Sequence, residues 1–179
     1  MDQGIATPGK TAEAGPTVVR YREELRAAFE QLNRDWIEKY FVLEEADRAV
    51  FADPAGHIVV PGGEIFFVLE GTAVLGTCAV IRHSSEECEI AKMAVAASAR
   101  GRGLGDLLMA AAIEFARDIG VRRVAIVSNT LLAPALQLYR KHGFVEVPLG
   151  NDSRYRRANI RLERKLAITE SAERRGEAG

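Results

Sequence analysis

The stretch Val95-Ala96-Ala97-Ser98-Ala99-Arg100-Gly101-Arg102-Gly103-Leu104-Gly105-Asp106 decides how this chain is read. It follows a strand-like segment, Glu87 to Val95. It opens into a segment whose apolar residues Leu104, Leu107, Leu108, Ala111, Ile113 and Phe115 recur at helical spacing. A strand therefore runs into a helix through three glycines. Glycine lets the backbone approach a ligand and reach dihedrals that a Cβ forbids. The first amides of a helix lack intrahelical partners and lie at the positive end of its dipole, so such a junction suits an anion. Arg100 and Arg102 add charge there. Two phosphate motifs do not fit. The dinucleotide pattern G-x-G-x-x-G fails because the sixth position from Gly101 is Asp106, and the P-loop fails because no Gly-Lys-Ser/Thr follows. The alternative is a glycine-rich turn that holds no ligand.

Upstream, Leu25, Ala28, Phe29, Leu32, Trp36, Ile37 and Tyr40 mark an amphipathic helix over Tyr21 to Phe41. A shorter helical stretch, Leu43 to Val50, ends at the turn Asp53-Pro54-Ala55-Gly56. Glu64 to Leu69, Ala73 to Arg82 and Glu87 to Val95 read as three antiparallel strands joined at Glu70-Gly71 and His83-Ser84-Ser85. Downstream, the helix from Gly103 to Ile119 stops at Gly120, and Val121 to Val127 is a short β-branched strand. Pro134 to His142 is a helix with proline in its first turn, ended by Gly143. Phe144 to Val147 and Tyr155 to Leu166 close the chain as strands. The expected fold is α/β (α+β), with a mixed, mostly antiparallel sheet flanked by helices. The expected domain is 17–166, between a flexible leader at 1–16 and a flexible tail at 167–179, both poor in large apolar residues.

Composition narrows the function. A chain of 179 residues suits one domain and needs neither metal nor disulfide to fold. With 24 basic and 25 acidic residues there is no charge excess to argue for nucleic acid. No run of about eighteen apolar residues exists to span a bilayer, and the N-terminus lacks the order of a signal peptide, so the expected location is the cytoplasm. Cys78 and Cys88 read as buried thiols. His57, His83 and His142 show no ligand spacing, and no metal is expected. The basic run Arg154 to Arg164 reads as a solvated strand face.

The segment Glu89-Ile90-Ala91-Lys92-Met93-Ala94-Val95, then Arg100 to Gly105, then Ser128-Asn129-Thr130, then Leu138-Tyr139-Arg140-Lys141-His142-Gly143-Phe144 resembles the GNAT acetyltransferase superfamily, from about Val18 to Leu166. The resemblance implies acetyl-CoA as co-substrate and a sheet splayed between its fourth and fifth strands. It implies that Arg100, Gly103 and Gly105, with Gly101, Arg102 and Leu104 between them, hold the CoA pyrophosphate. It places the pantetheine arm along Met93, Ala94 and Val95, with the Val95 amide polarising the thioester carbonyl. It makes Tyr139 the group that protonates or hydrogen-bonds the departing thiolate, and Glu89 the base for the acceptor amine, directly or through water.

Each role has a plainer counterpart: a core tyrosine for Tyr139 and a solvated strand carboxylate for Glu89. Asn129 serves the pantetheine or caps a turn. One departure from the family is Leu132, which stands where many members carry asparagine. The expected activity is N-acetylation of a small-molecule or peptide amine, with a non-catalytic acyl-CoA-binding module as the alternative. The acceptor is not encoded in any recognisable motif. The segments expected to line it are Trp36 to Glu44, Phe51 to Gly63 and His83 to Glu87. A homodimer is left open.

Overall fold

The computed structural model describes residues 15–150 and 154–167. In chain order its regular elements are β1 (Thr17–Arg20), α1 (Arg26–Tyr40), α2 (Glu45–Ala52), β2 (Glu64–Glu70), β3 (Ala73–Arg82), β4 (Glu87–Val95), α3 (Leu104–Asp118), β5 (Arg123–Ser128), α4 (Ala133–Lys141), β6 (Val145–Val147) and β7 (Ile160–Lys165). The strands form one sheet in the order β1-β2-β3-β4-β5-β7-β6. All neighbours are antiparallel except β4 and β5, which run parallel.

Strand alternation produces two cores, one on each face of the sheet. Phe66, Val68, Cys78, Val80, Cys88 and Ile90 pack under α3 against Leu108, Met109, Ala112 and Ile113. The intervening residues Ile65, Phe67 and Ala79 face α1 and α2, where Phe29 meets Phe51 and Phe67 edge-on at centroid distances of 5.8 and 6.4 Å. Truncating a fully buried side chain such as Leu108 would cost about 2–5 kcal/mol. Both cysteines are free thiols buried in the first core, and desolvation pushes the Cys88 thiol up to about 12.

The mixed sheet, the three central antiparallel strands and the strand-to-helix junction agree with expectation. Four details differ. β1 is an additional edge strand paired with β2. The first helix is preceded by a separate tight turn at Glu23–Leu25. The chain after Asp53 does not simply turn but continues through a wide helical turn at Ala55–Val59. The last strand is confined to Ile160–Lys165, because Ala158 N–H bonds Tyr155 O at 3.1 Å and the Arg156 and Arg157 amides are captured by Glu44. A tertiary contact there overrides the sequence alternation. The leader and tail lie outside the described residues except for positions 15, 16 and 167.

Candidate active site

Between β4 and β5 the parallel ladder has three register pairs and ends at Glu89 opposite Ala125. Beyond that point the strands part, and Ile90–Val95 on one side and Ile126–Ser128 on the other line a cleft of about 460 Å³. The sheet is therefore splayed between its fourth and fifth strands. A β-bulge lies in the parting strand. Thr77 pairs with Ala94 but Ala79 with Ala91, so Lys92 and Met93 together face Cys78. Lys92 takes φ +52°, a left-handed conformation unusual for a residue with a Cβ, and such strain persists only where surrounding contacts hold it.

Those contacts form a buried ion cluster. The Lys92 ammonium bonds the Asp47 carboxylate and donates to Tyr155 Oη at 2.9 Å. Arg157 forks onto both Asp47 oxygens at 2.7 and 2.9 Å and reaches Glu44 at 3.1 Å. Asp47 is fully buried. Desolvation alone would raise its pKa, but hydrogen bonds from Arg157 and Lys92, with the nearby Lys92 charge, hold it below the usual carboxylate range. Lys92 also lies 4.5 Å from the Tyr155 ring centroid and 5.2 Å from that of Phe51. The cluster joins α2, the β4 bulge and the turn before β7 at one end of the cleft.

Trp36, Tyr40 and Phe41 form an aromatic wall at this end, with the Trp36 and Phe41 rings edge-on at 6.3 Å. Glu89 lines the cleft beside them, with its side chain 9% exposed. It accepts Arg154 Nη2 at 2.8 Å and bonds His83 Nε2 at 2.9 Å. The segment Trp36 to Glu44 thus reaches the cleft as expected, whereas no residue from Phe51 to Gly63 or from His83 to Glu87 lines it.

At the other end is the glycine loop. Gly103 is the N-cap of α3 with φ +76°, and Gly101 has φ +77°, conformations that glycine adopts without strain. The first amides to find a carbonyl within α3 are those of Asp106 and Leu107, both on Gly103 O, so those of Leu104 and Gly105 precede the helical ladder. Gly105 serves packing, since a Cβ there would come 3.0 Å from the Leu138 side chain of α4. Met93, Ala94, Val95, Arg100, Gly101, Gly103, Leu104 and Gly105 all line the cleft. Arg102 does not. Its guanidinium forks onto Glu70 at 2.6 and 3.2 Å and holds that carboxyl below its ordinary range.

Tyr139 of α4 lines the cleft, is 8% exposed and belongs to the core under α3. Burial, and to a smaller degree the neighbouring Cys78, raises its pKa well above 10, while a hydrogen bond with the Ser128 side chain acts the other way. The hydroxyl is therefore protonated throughout the neutral range. Asn129 lines the cleft, but its amide donates to Arg157 O and its carbonyl accepts Leu131 N–H at 2.9 Å. It thereby caps the turn before α4. His142 binds Asp106 at 2.8 Å and joins the end of α4 to the first turn of α3.

Sequence reading missed Asp47, Lys92, Tyr155 and Arg157, which it had placed on elements but in no role. The one local signal was a lysine in β4 at a position where the alternation of Ile90 and Ala94 calls for an apolar residue.

A parallel seam that parts beyond its third pair, with a helix N-terminus and a buried tyrosine among the residues lining the gap, defines an acyltransferase architecture. The Acetyltransferase (GNAT) family model matches residues 18–144, and the chain belongs to that family. It is 33% identical over 81 residues to a mycothiol acetyltransferase of Corynebacterium glutamicum, and 36% identical over 89 residues to one of Pseudarthrobacter chlorophenolicus. The matches cover 45% and 47% of this chain, and the chain spans about 28% of the length of each relative. In fold it is similar to a GNAT acetyltransferase of Staphylococcus aureus, with a TM-score of 0.79 and 15% identity, covering 86% of this chain and 100% of that one. It is also similar to the putative acetyltransferase yncA of Salmonella typhimurium, solved with its cofactor acetyl-CoA, with a TM-score of 0.65 and 17% identity over 88% and 96% of the chains. Among the described residues no helix is long and apolar enough to cross a membrane.

Proposed function

We propose that the chain transfers an acetyl group from acetyl-CoA to an amine by direct attack in a ternary complex. The observation that carries this reading is the seam that opens beyond Glu89 and Ala125. It exposes strand backbone along a cleft that leads to the glycine loop at the start of α3. CoA phosphates lie against the loop amides with Arg100, and the pantetheine arm lies along Met93 to Val95. The amine nitrogen attacks the thioester carbonyl carbon. The carbonyl electrons move to oxygen, where the Val95 amide stabilises the developing charge. When the intermediate collapses, the attacking nitrogen gives its second proton to solvent, the C–S bond breaks and the thiolate leaves. A thiol has a pKa near 8.5, far below that of the buried Tyr139 hydroxyl, so Tyr139 stabilises the thiolate by donating a hydrogen bond and does not give up its proton. Solvent reprotonates the thiolate later.

The acceptor must arrive or become neutral. An alkylamine with a pKa of about 10.4 is free base in only about one molecule in 2,500 at pH 7, equivalent to roughly 4.6 kcal/mol. Glu89, at the cleft wall, takes that proton. The test is release of free CoA thiol from acetyl-CoA with a panel of benzylamine, spermidine, glucosamine and an alanine-led peptide, alongside calorimetry of acetyl-CoA binding. Turnover with any of these supports the enzyme. Binding without release of thiol with any amine supports a non-catalytic acyl-CoA module.

A further inference from the structure

We propose that His83 carries the acceptor's proton out of the cleft, acting through Glu89. The inference rests on Glu89 as the base. Glu89 faces the cleft with its side chain 9% exposed, so a proton taken there on each turnover needs an exit that avoids the bound product. His83 does not line the cleft. It sits on the far side of the carboxylate, its side chain is 33% exposed, and its Nε2 lies 2.9 Å from Glu89 Oε2. The order is thus cleft, carboxylate, imidazole, water.

Among the described residues Arg154 and His83 both approach Oε2, so Oε1 is the oxygen left for the amine. The ammonium gives a proton to Oε1. The carboxyl turns to present that proton to Nε2 of the Nδ1–H imidazole, and the imidazolium releases its Nδ1 proton to water. Proton exchange with water then restores the starting tautomer for the next turnover. Imidazole is the side chain suited to this exchange near neutrality. Its backbone is fixed by the hairpin, since His83 N–H donates to Glu87 O at 3.0 Å while Ser84 Oγ accepts the Glu86 and Glu87 amides at 3.1 Å. The charged groups facing the pair are Arg154, 3.2 Å from His83 Nε2, and Arg82 of β3, whose guanidinium turns to Ser84 O. Glu87 is held by Arg123 and Arg161.

The test compares pH profiles of kcat/KM for wild type, H83A, H83Q, E89Q and H83A/E89Q, using the amine of the panel above that turns over. His83 imidazole resonances are followed by NMR as a function of pH in wild type and E89Q. H83A is expected to lose about tenfold at neutral pH and to recover in added imidazole. H83Q, which keeps a hydrogen-bond donor for Glu89 but cannot carry a proton, should be as slow as H83A. The double variant should be no slower than E89Q, and imidazole should rescue neither. A wild-type profile for H83A, recovery in H83Q, or a loss that imidazole leaves untouched overturns the relay while a slowed E89Q still supports the base. An E89Q profile that superimposes on wild type removes the base and the relay together. A His83 titration that E89Q leaves unmoved shows the contact absent in solution and overturns the proposal without reference to any acceptor.

Discussion

The two ends of the cleft are built by opposite means. The glycine-loop end comes from consecutive residues, Arg100 to Gly105, and works mainly through backbone: two left-handed glycines and the unladdered amides of a helix start. The opposite end, where the proposed function seats the acceptor, is assembled from α1, α2, β4 and the turn before β7. Its charges are side chains separated by up to 113 positions, as in the contact of Glu44 with Arg157. A local device tolerates change in the rest of the molecule, whereas a long-range one fails when a single partner is lost.

The comparison breaks first at Asp47. Asp47→Ala leaves Lys92 and Arg157 buried without their shared anion, and we expect a loss of about 3–5 kcal/mol in urea unfolding at neutral pH. The folded pKa of Asp47 is depressed, so its contribution is full above the unfolded carboxyl value of about 3.9 and is lost as pH falls through the folded value. The gap in stability between wild type and Asp47→Ala should therefore close in acid below about pH 4. Constant separation of the two curves down to pH 2 would contradict this.

Next in size is Tyr139→Phe. Its kcat should fall about ten- to a hundredfold with acetyl-CoA affinity unchanged by calorimetry, and no alkaline limb from Tyr139 should appear below about pH 10 in the wild-type profile. Gly103→Val forces a branched residue to φ +76°. It should raise the CoA dissociation constant at least tenfold, about 1.4 kcal/mol, and the backbone strain should lower unfolding stability in urea by about 1–2 kcal/mol. The smallest effect sharpens the loop end. Arg102 is committed to Glu70, so Arg102→Ala should change CoA affinity by less than about threefold, with Arg100→Ala clearly larger. Equal losses in the two variants would bring Arg102 into the phosphate site.

This division also explains what could be read from sequence. Gly101, Gly103 and Gly105 sit at a boundary between two hydrophobic periods, so the glycine loop and the α3 start were legible from neighbours alone. The sheet followed from alternation in β2, β3 and β4. The Tyr155 to Leu166 strand was overextended because the captor of its first half, Glu44, lies more than a hundred residues away. Lys92 and Asp47 were invisible as a pair for the same reason, since local spacing carries no information about which distant carboxylate meets a buried ammonium. His83, read as a turn residue, for metal spacing and as the start of a segment expected to line the acceptor, meets Glu89 across the hairpin, a pairing that turn signals do not encode.

The short ladder between β4 and β5 has a consequence for the protein without ligand. Three register pairs join a four-stranded half of the sheet to a three-stranded half, and beyond them each half ends in an edge that points inward. Most proteins cover or blunt such edges, because unpaired strand backbone recruits other strands. In this chain the two edges stand apart along the cleft, where the proposed function lays the ligand. On the proposed placement of the pantetheine arm along β4, that arm is a removable strand, and the protein without it has an open sheet more exposed to strand addition by its neighbours.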